Sequence, residues 1–218
     1  MSKKLQVAVI VEKHAYNVVK FQKMLDSFTN CDCYVQPLDL FVQDEDNRKN
    51  YDTVLYYSMF LDLPPSNHPI TQYVENEIGS TSQGIILLHH ALLSFGNSEL
   101  FTEVCGIRNR KVDENFKYTH DQIVMQQIVN PSHPITQDMP NFSLTDETYI
   151  MGEPEEPGNT ILITTDNKTS IKNIGWVRNY KNSRVFCYAA GHDNHAFSNE
   201  NFRTILQNAI KYTAGVIT

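Results

Sequence analysis

Three widely separated segments of the chain place histidines just after apolar stretches. His14 follows "LQVAVIV", His89 and His90 follow "GIILL", and His192 follows "RVFCYAA" after one glycine. An unperturbed imidazole titrates near neutrality, so it can act as a general base, and the neutral ring is a common zinc ligand. These residue types predict either acid–base chemistry or a site for a divalent metal ion such as zinc.

An acidic segment, "LTDETY", adds Asp146, Glu147 and Tyr149. Successive residues of an extended strand point to opposite faces, so we expect at most one of the two carboxylates to point inward. A carboxylate beside imidazoles can ligate a metal, act as a general base or orient a ring. We assign this role to Glu147, and an exposed acidic edge is the alternative interpretation.

The elements that must position these groups alternate between strands and helices in the first half. Strands are predicted at Leu5–Val11, "CDCYVQPL", Tyr51–Met59 and "QGIILLH", and helices at "AYNVVKFQKMLDSF", "ITQYVENEIGS" and "NSELFTEVCG", the last capped by Asn97. Continuous apolar strands that alternate with helices indicate a parallel sheet with right-handed crossovers.

The second half has a different pattern. Short strand-like segments separated by turns run from "DQIVMQQIV" to "SRVFCYAA", and a long amphipathic helix ends the chain. This pattern predicts antiparallel hairpins in the later part of the sheet. Charged runs such as Asp44–Asn50 are predicted to be solvated loops, and we expect residues 1–218 to form a single domain.

In open parallel sheets, ligands bind outside the carboxyl ends of the strands. His14, His89 and His192 all follow such ends, so we predict that they converge on one crevice with Glu147. Only one of His89 and His90 should face this crevice unless a sharp turn intervenes. The residues predicted to bind substrate are Tyr16, His90, Tyr149, Asp193 and His195.

Composition excludes several other classes of protein. The net charge of −7 disfavours nucleic-acid binding, which needs clustered basic residues. The start, "MSKKLQVAVIV", is too short for a signal-peptide core, and no apolar run approaches a membrane span. The four cysteines form no C-x-x-C pair, so we expect free thiols and a cytoplasmic location. No P-loop, G-x-G-x-x-G, G-x-S-x-G or H-E-x-x-H motif is present.

Three blocks together resemble the ThuA-like (trehalose utilisation) family, which is related to class I glutamine amidotransferases. They are "HAYNVVKFQKML", "GIILLHHALLSF" and "VFCYAAGHDNHAF", and the resemblance spans nearly the whole chain. It implies a flavodoxin-like, class I glutamine amidotransferase-like α/β fold. Such a fold has a mostly parallel sheet with helices on both faces, here with antiparallel strands in the second half.

The resemblance also defines two departures. Glutamine amidotransferases carry a cysteine in the turn after the equivalent strand, whereas this turn reads "LLHHALL", and Asn194 stands where their glutamate follows the late histidine. A thiol amidotransferase mechanism is therefore excluded. In addition, the family often has "GGH" where this chain has Glu12, Lys13 and His14.

The family name implies a small carbohydrate as the partner, such as a disaccharide or keto-sugar. Three classes of function remain open, and one of them is a purely structural protein in which the histidine cluster is accidental. Another is a sugar isomerase or hydrolase with His14, His89, His192 and Glu147 as catalytic groups, in which the three histidines are candidate metal ligands. The third is a non-catalytic sugar-binding or accessory protein. Trp176 could stack on a sugar ring, although we favour core packing, and a homo-oligomer is also left open.

Overall fold

The computed structural model describes residues 4–218, and its centre is one mixed sheet. The strands in this range are β1 (Leu5–Glu12), β2 (Cys31–Gln36), β3 (Thr53–Ser58), β4 (Gly84–Leu88), β5 (Lys117–Ile128), β6 (Phe142–Ile150), β7 (Thr160–Thr164), β8 (Asn173–Tyr180) and β9 (Ser183–Tyr188). Their order across the sheet is β2-β1-β3-β4-β9-β8-β7-β5-β6. The beginning of the segment considered as a signal peptide, Met1–Lys3, lies outside the described residues.

Strands β2, β1, β3, β4 and β9 form the parallel part of the sheet. The middle of β1 and every residue of β3 and β4 are buried, as expected for strands covered on both faces. The predicted alternation of strands and helices in the first half, and its parallel arrangement, are confirmed.

From β9 onward the sheet is antiparallel, through β8, β7, β5 and β6. Four pairings are parallel and four are antiparallel, so the sheet is mixed and the prediction of a mostly parallel sheet was too strong. The physical reason is the shortness of the later connections, since a tight turn such as Lys181–Asn182 can join only antiparallel strands. Helices on both faces of the sheet stay a prediction.

The pair β5–β6 forms a ribbon that joins the other strands only at the end of β5. β5 pairs with β7 only at Gln127 and Ile128, while most of its length pairs with β6. A bulge interrupts this ribbon between Thr119 and Gln122, where Asp121 has a positive φ of 53°. Bulges bend a strand and redirect its side chains, and this one lies next to the candidate site.

The helices are α1 (Val18–Asp26), α2 (Leu38–Gln43), α3 (Glu45–Arg48), α4 (Pro69–Asn76), α5 (Glu99–Cys105), α6 (Asn194–Ser198) and α7 (Glu200–Thr213). The predicted helices correspond to α1, α4, α5 and α7. The predicted cap of α5 is wrong by one residue, because Ser98 caps the helix by accepting from Phe101 N. Asn97 instead accepts a hydrogen bond from Leu63 N at 2.7 Å.

The charged run Asp44–Asn50 contains α3 and is not wholly a solvated loop. Arg48 is buried and donates three hydrogen bonds to the carboxylate of Glu77, from Nε to Oε2 at 3.1 Å and from Nη2 to Oε2 at 2.6 Å and to Oε1 at 2.5 Å. This ion pair holds the short helix against the body of the protein.

The cysteines are free, as expected, with Cys31, Cys105 and Cys187 buried and Cys33 half-buried. Within residues 4–218 no helix combines the length and apolar character needed to cross a membrane.

Candidate functional site

The predicted convergence of the three histidine segments is present in the structure. β1, β4 and β9 are parallel, so their carboxyl ends lie at the same edge of the sheet. The ring centroids of His14 and His192 are 5.5 Å apart, and those of His89 and His192 are 5.2 Å apart. Segments more than a hundred residues apart in sequence therefore form one cluster of imidazoles.

A sharp turn after β4 brings both adjacent histidines into this cluster. His89 has φ of 53°, an uncommon conformation for a residue with a side chain, and it begins the short 3-10 helix His89–Leu93. Both imidazoles are fully buried. We expected only one of them to face the crevice unless a sharp turn intervened. This turn is present, so both imidazoles join the cluster.

His89 is oriented by a backbone carbonyl. Its Nδ1 lies 2.7 Å from Ala189 O, which can only accept, so in the neutral ring Nδ1 carries the proton. The lone pair on Nε2 then faces the centre of the cluster.

Glu147 lies at this centre. Its Oε1 is 3.3 Å from His89 Nε2 and 3.6 Å from Nδ1 of His192, while its Oε2 is 2.9 Å from Nδ1 of His120. The nitrogens of His89 and His192 are themselves 3.3 Å apart. One ligand atom from each of His89, Glu147 and His192 thus faces a common point, with all three atoms within 4.8 Å of one another.

The electrostatics keep Glu147 ionised and a neighbouring hydroxyl protonated. Burial alone would raise the pKa of Glu147, but the adjacent imidazoles of His89 and then His192 favour its ionised form and lower the pKa to about 2. Burial raises the pKa of Tyr149 well above its usual range. Its hydroxyl therefore stays protonated and donates to Nε2 of His89 at 2.7 Å.

Asp146 also points inward, so the expectation that at most one of the two carboxylates would do so was wrong. β6 is buried on both sides from Asp146 to Tyr149, which gives alternating residues no exposed face. Asp146 accepts hydrogen bonds from the backbone nitrogens of Gly191 at 2.6 Å, His192 at 2.9 Å and Glu147 at 2.9 Å. Burial, against these bonds, raises its pKa to about 6.

These bonds fix the turn that presents His192. Gly191 has φ of 121°, which only glycine adopts readily, and the hydroxyl of Tyr57 donates to its carbonyl at 3.0 Å. Asp146 is therefore a positioning residue for His192.

His14 and His90 form a second layer of the cluster. Their rings stack with centroids 4.1 Å apart, and both ring nitrogens of His90 lack a hydrogen-bond partner among residues 4–218. Burial, and then the charges of His89 and His14, lower the pKa of His90 to about 2. Burial also lowers the pKa of His14, so the pair is neutral at physiological pH.

Three predicted binding residues lie outside the contacts of Glu147. Tyr16 packs edge-on against Phe21 and Tyr57. Asp193 caps α6 by accepting from the backbone nitrogen of His195, whose side chain is exposed. Their roles stay predictions.

Sequence reasoning did not assign His120 to the site, because only the bulge in β5 directs it toward Glu147. At the departure from "GGH", the side chains of Glu12 and Lys13 make their contacts away from the cluster. Glu12 accepts from Leu38 N, and Lys13 extends over the ring of Phe60. Lys13 has φ of 63°, the conformation that a glycine would adopt without strain.

Together, the mixed sheet and its helices define an α/β protein, and no cysteine among residues 4–218 belongs to its histidine–carboxylate cluster. The chain resembles a ThuA-like protein from Parabacteroides merdae, with 18% identity over 99% of this chain and 92% of the other, and a TM-score of 0.76. A cytoplasmic protein from Salmonella typhimurium is 11% identical over 96% and 99%, with a TM-score of 0.67.

A GMP synthase subunit from Thermoplasma acidophilum is 11% identical over 97% of this chain and 95% of the other, with a TM-score of 0.59. At these identities the three structures establish the fold alone. No curated protein sequence matches the chain significantly. The sequence model of the ThuA family, described as trehalose utilisation, matches residues 11–213, and the chain belongs to this family.

Proposed function

We propose that the chain is an enzyme of carbohydrate utilisation that converts a disaccharide or keto-sugar. Its reaction centre is formed by His89, Glu147 and His192, with a divalent ion such as zinc bound there. The description of the family supports the carbohydrate. The separations among the three ligand atoms support the ion, and this observation carries the proposal.

Those separations match a tetrahedral ligand shell. In a zinc site with ligands about 2.1 Å from the ion, two ligand atoms lie about 3.4 Å apart. The three observed separations are 3.3, 3.3 and 3.6 Å. Three protein ligands with one position left free is also the arrangement typical of catalytic zinc.

The charge on these atoms fits a cation as well. Glu147 is ionised, and burial lowers the pKa of His192, so its neutral ring can offer a lone pair. Electron pairs that face one point repel each other unless a cation or proton lies between them. Each of two ligands also has a contact that orients it, as in known metal sites. Ala189 O accepts from Nδ1 of His89, and Nδ1 of His120 contacts Oε2 of Glu147.

Each remaining residue has a defined role in this proposal. A bound divalent ion would polarise a substrate oxygen. The hydroxyl of Tyr149 donates its proton to the lone pair on Nε2 of His89. If a metal ion bound that lone pair, the hydroxyl would be free to donate to the substrate instead. His120 reaches the same carboxylate from the exposed side and can exchange protons with solvent. Both isomerisation and hydrolysis can use such groups.

The test begins with the metal content of untagged protein purified after incubation with zinc. We expect about one equivalent in the wild type and none in His192→Ala or Glu147→Gln. The control is His68→Asn, which removes an imidazole that accepts from Ile70 N at the start of α4 and keeps a capping side chain.

Equal metal content in wild type and ligand variants would refute the metal centre. Turnover assays on disaccharides and their keto derivatives follow. Sugar binding without any turnover would favour the non-catalytic sugar-binding protein. We further propose a cytoplasmic location, supported by the free cysteines and by the similar Salmonella protein named as cytoplasmic.

A further inference from the structure

We propose that the cleft beside Tyr149 is the subsite for the sugar, that Phe116 is its stacking platform, and that it selects an uncharged disaccharide over a sugar phosphate. This inference rests on the proposed function for the reaction that follows binding. It concerns residues outside the histidine cluster, none of which was identified from the sequence.

The cleft has a volume of about 650 Å³, within the range of small-molecule sites. Its walls come from the start of α5, from the loop Arg108–Phe116 and from the end of β6 at Ile150–Gly152. Asparagines 109 and 115 supply amide donors and acceptors, and Phe116 supplies the aromatic face. Amides beside a half-exposed ring suit a ligand that carries both hydroxyls and C–H faces.

A continuous set of aromatic contacts joins this cleft to the reaction centre. The ring of Phe116 lies 5.3 Å from that of Tyr149, which stacks on His89 at 4.7 Å. On the outer side, Tyr118 lies 6.4 Å from Phe116 and 5.3 Å from His120. Phe116 therefore links the cleft to Tyr149, whose hydroxyl we assign as proton donor.

The wall of the cleft is anchored to the turn that carries His89. Arg110 is fully buried, and its guanidinium donates to the carbonyls of Leu92 at 3.2 Å, Phe95 at 2.9 Å and Ser94. The opposite wall is joined to the same loop by the hydrogen bond from Gly152 N to Asn109 O at 2.5 Å. The subsite is thus preformed, which lowers the entropic cost of binding.

The charges in the cleft favour a neutral ligand. Arg108 already contacts Glu99 at 3.3 Å and Glu156 at 3.0 Å, so its charge is compensated. Lys111 and Asp113 have opposite charges and lie in the same lining. A phosphate would meet one uncompensated cation and one carboxylate, whereas hydroxyl groups can bond to both.

The test is calorimetric titration of the zinc-loaded full chain with trehalose, maltose, sucrose and lactose, and with trehalose 6-phosphate. We expect at least one uncharged disaccharide to bind more tightly than the phosphate. Phe116→Ala should weaken this binding roughly tenfold, or about 1.4 kcal/mol, because both the stacking contact and its buried area are lost. Phe116→Tyr should stay within about twofold of the wild type.

The control is Tyr34→Ala, which removes an exposed aromatic ring from β2, at the opposite edge of the sheet. The inference is overturned if none of the four disaccharides binds, if the phosphate binds more tightly, or if Phe116→Ala binds as the wild type does. The same samples are analysed for metal. A chain that binds sugar through Phe116 but holds no zinc would refute the proposed function alone, and one that holds zinc but ignores Phe116 would refute the subsite alone.

Discussion

The parallel strands and the β5–β6 ribbon contribute different kinds of group to the same centre. The carboxyl ends of β1, β4 and β9 supply the imidazoles of His14, His89 and His192. The ribbon supplies a carboxylate, Glu147, and a hydroxyl, Tyr149, that contact these imidazoles, together with His120, which contacts the carboxylate. The first set is oriented by backbone turns, and the second by a bulge and by burial, so each part is incomplete without the other.

This comparison predicts that losing a ligand from either part has the same large effect. Glu147→Gln on the ribbon and His89→Ala on the parallel side should each reduce zinc affinity by at least about 100-fold, because ligand loss exceeds the effect of losing an outer contact. Competition with a chromogenic chelator measures this affinity. If only one of the two variants lost zinc, the ion would not bridge the two parts, and His68→Asn controls for nonspecific loss of imidazole.

The next largest effect is expected at Asp146, which lies on β6 and accepts hydrogen bonds from the turn after β9. Asp146→Ala leaves three buried backbone N–H groups without their acceptor, so we expect the free energy of unfolding to fall by roughly 3 kcal/mol. Denaturant unfolding measures it. Asp166→Asn, an exposed side chain that accepts from Gln127, should change stability by less than about 0.5 kcal/mol. A comparable loss in both variants would contradict the positioning role.

The neutral pair His14–His90 belongs to the parallel side alone and should make stability depend on pH. His90 has a folded pKa of about 2 against an ordinary 6.5, so below pH 6.5 the unfolded chain binds a proton that the folded chain does not. Stability therefore falls as the pH is lowered, by up to about 1.4 kcal/mol per pH unit from this group.

His90→Phe removes the imidazole that binds this proton in the unfolded chain, and it keeps an aromatic ring beside Tyr57. Unfolding of both proteins between pH 7 and pH 4.5 measures the difference, which should grow in favour of the variant as the pH decreases. If the difference in unfolding free energy between the two proteins stayed constant over this pH range, His90 would bind its proton in the folded chain as well.

The smallest expected effect tests the outer contact of the ribbon. His120→Ala removes the partner of Glu147 Oε2 on its exposed side, and we expect about a tenfold loss of zinc affinity with little change in stability. His120→Asn, which can still donate to the carboxylate, should recover part of that affinity. No change in either variant would mean that burial alone orients Glu147.

Much of the parallel part was predictable from the sequence. Apolar runs identify β1, β3 and β4, and the rule for the carboxyl ends of parallel strands then places His14, His89 and His192 together. This works because each histidine lies within four residues of the end of its strand, so no long-range information is needed beyond strand order.

The ribbon was not predictable in the same way. Glu147 could be proposed from its neighbours in sequence, but the direction of His120 depends on the bulge between Thr119 and Gln122, and the inward position of Asp146 depends on what covers both sides of β6. Aromatic residues were equally ambiguous. Trp176, considered as a sugar platform, is fully buried and donates to Cys105 O, whereas Phe116 reaches the cleft through a loop that has no regular pattern.

The hydrogen bonds of Arg110 limit how far the cleft loop can move relative to the turn that carries His89. Because one guanidinium ties the cleft loop to the turn of His89, we expect the distance from Phe116 to His89 to change little when a ligand binds. A substrate would then be selected by its length as well as by its chemistry. Molecules shorter than this span would leave one end unheld, and longer ones would have to extend into solvent beyond the loop.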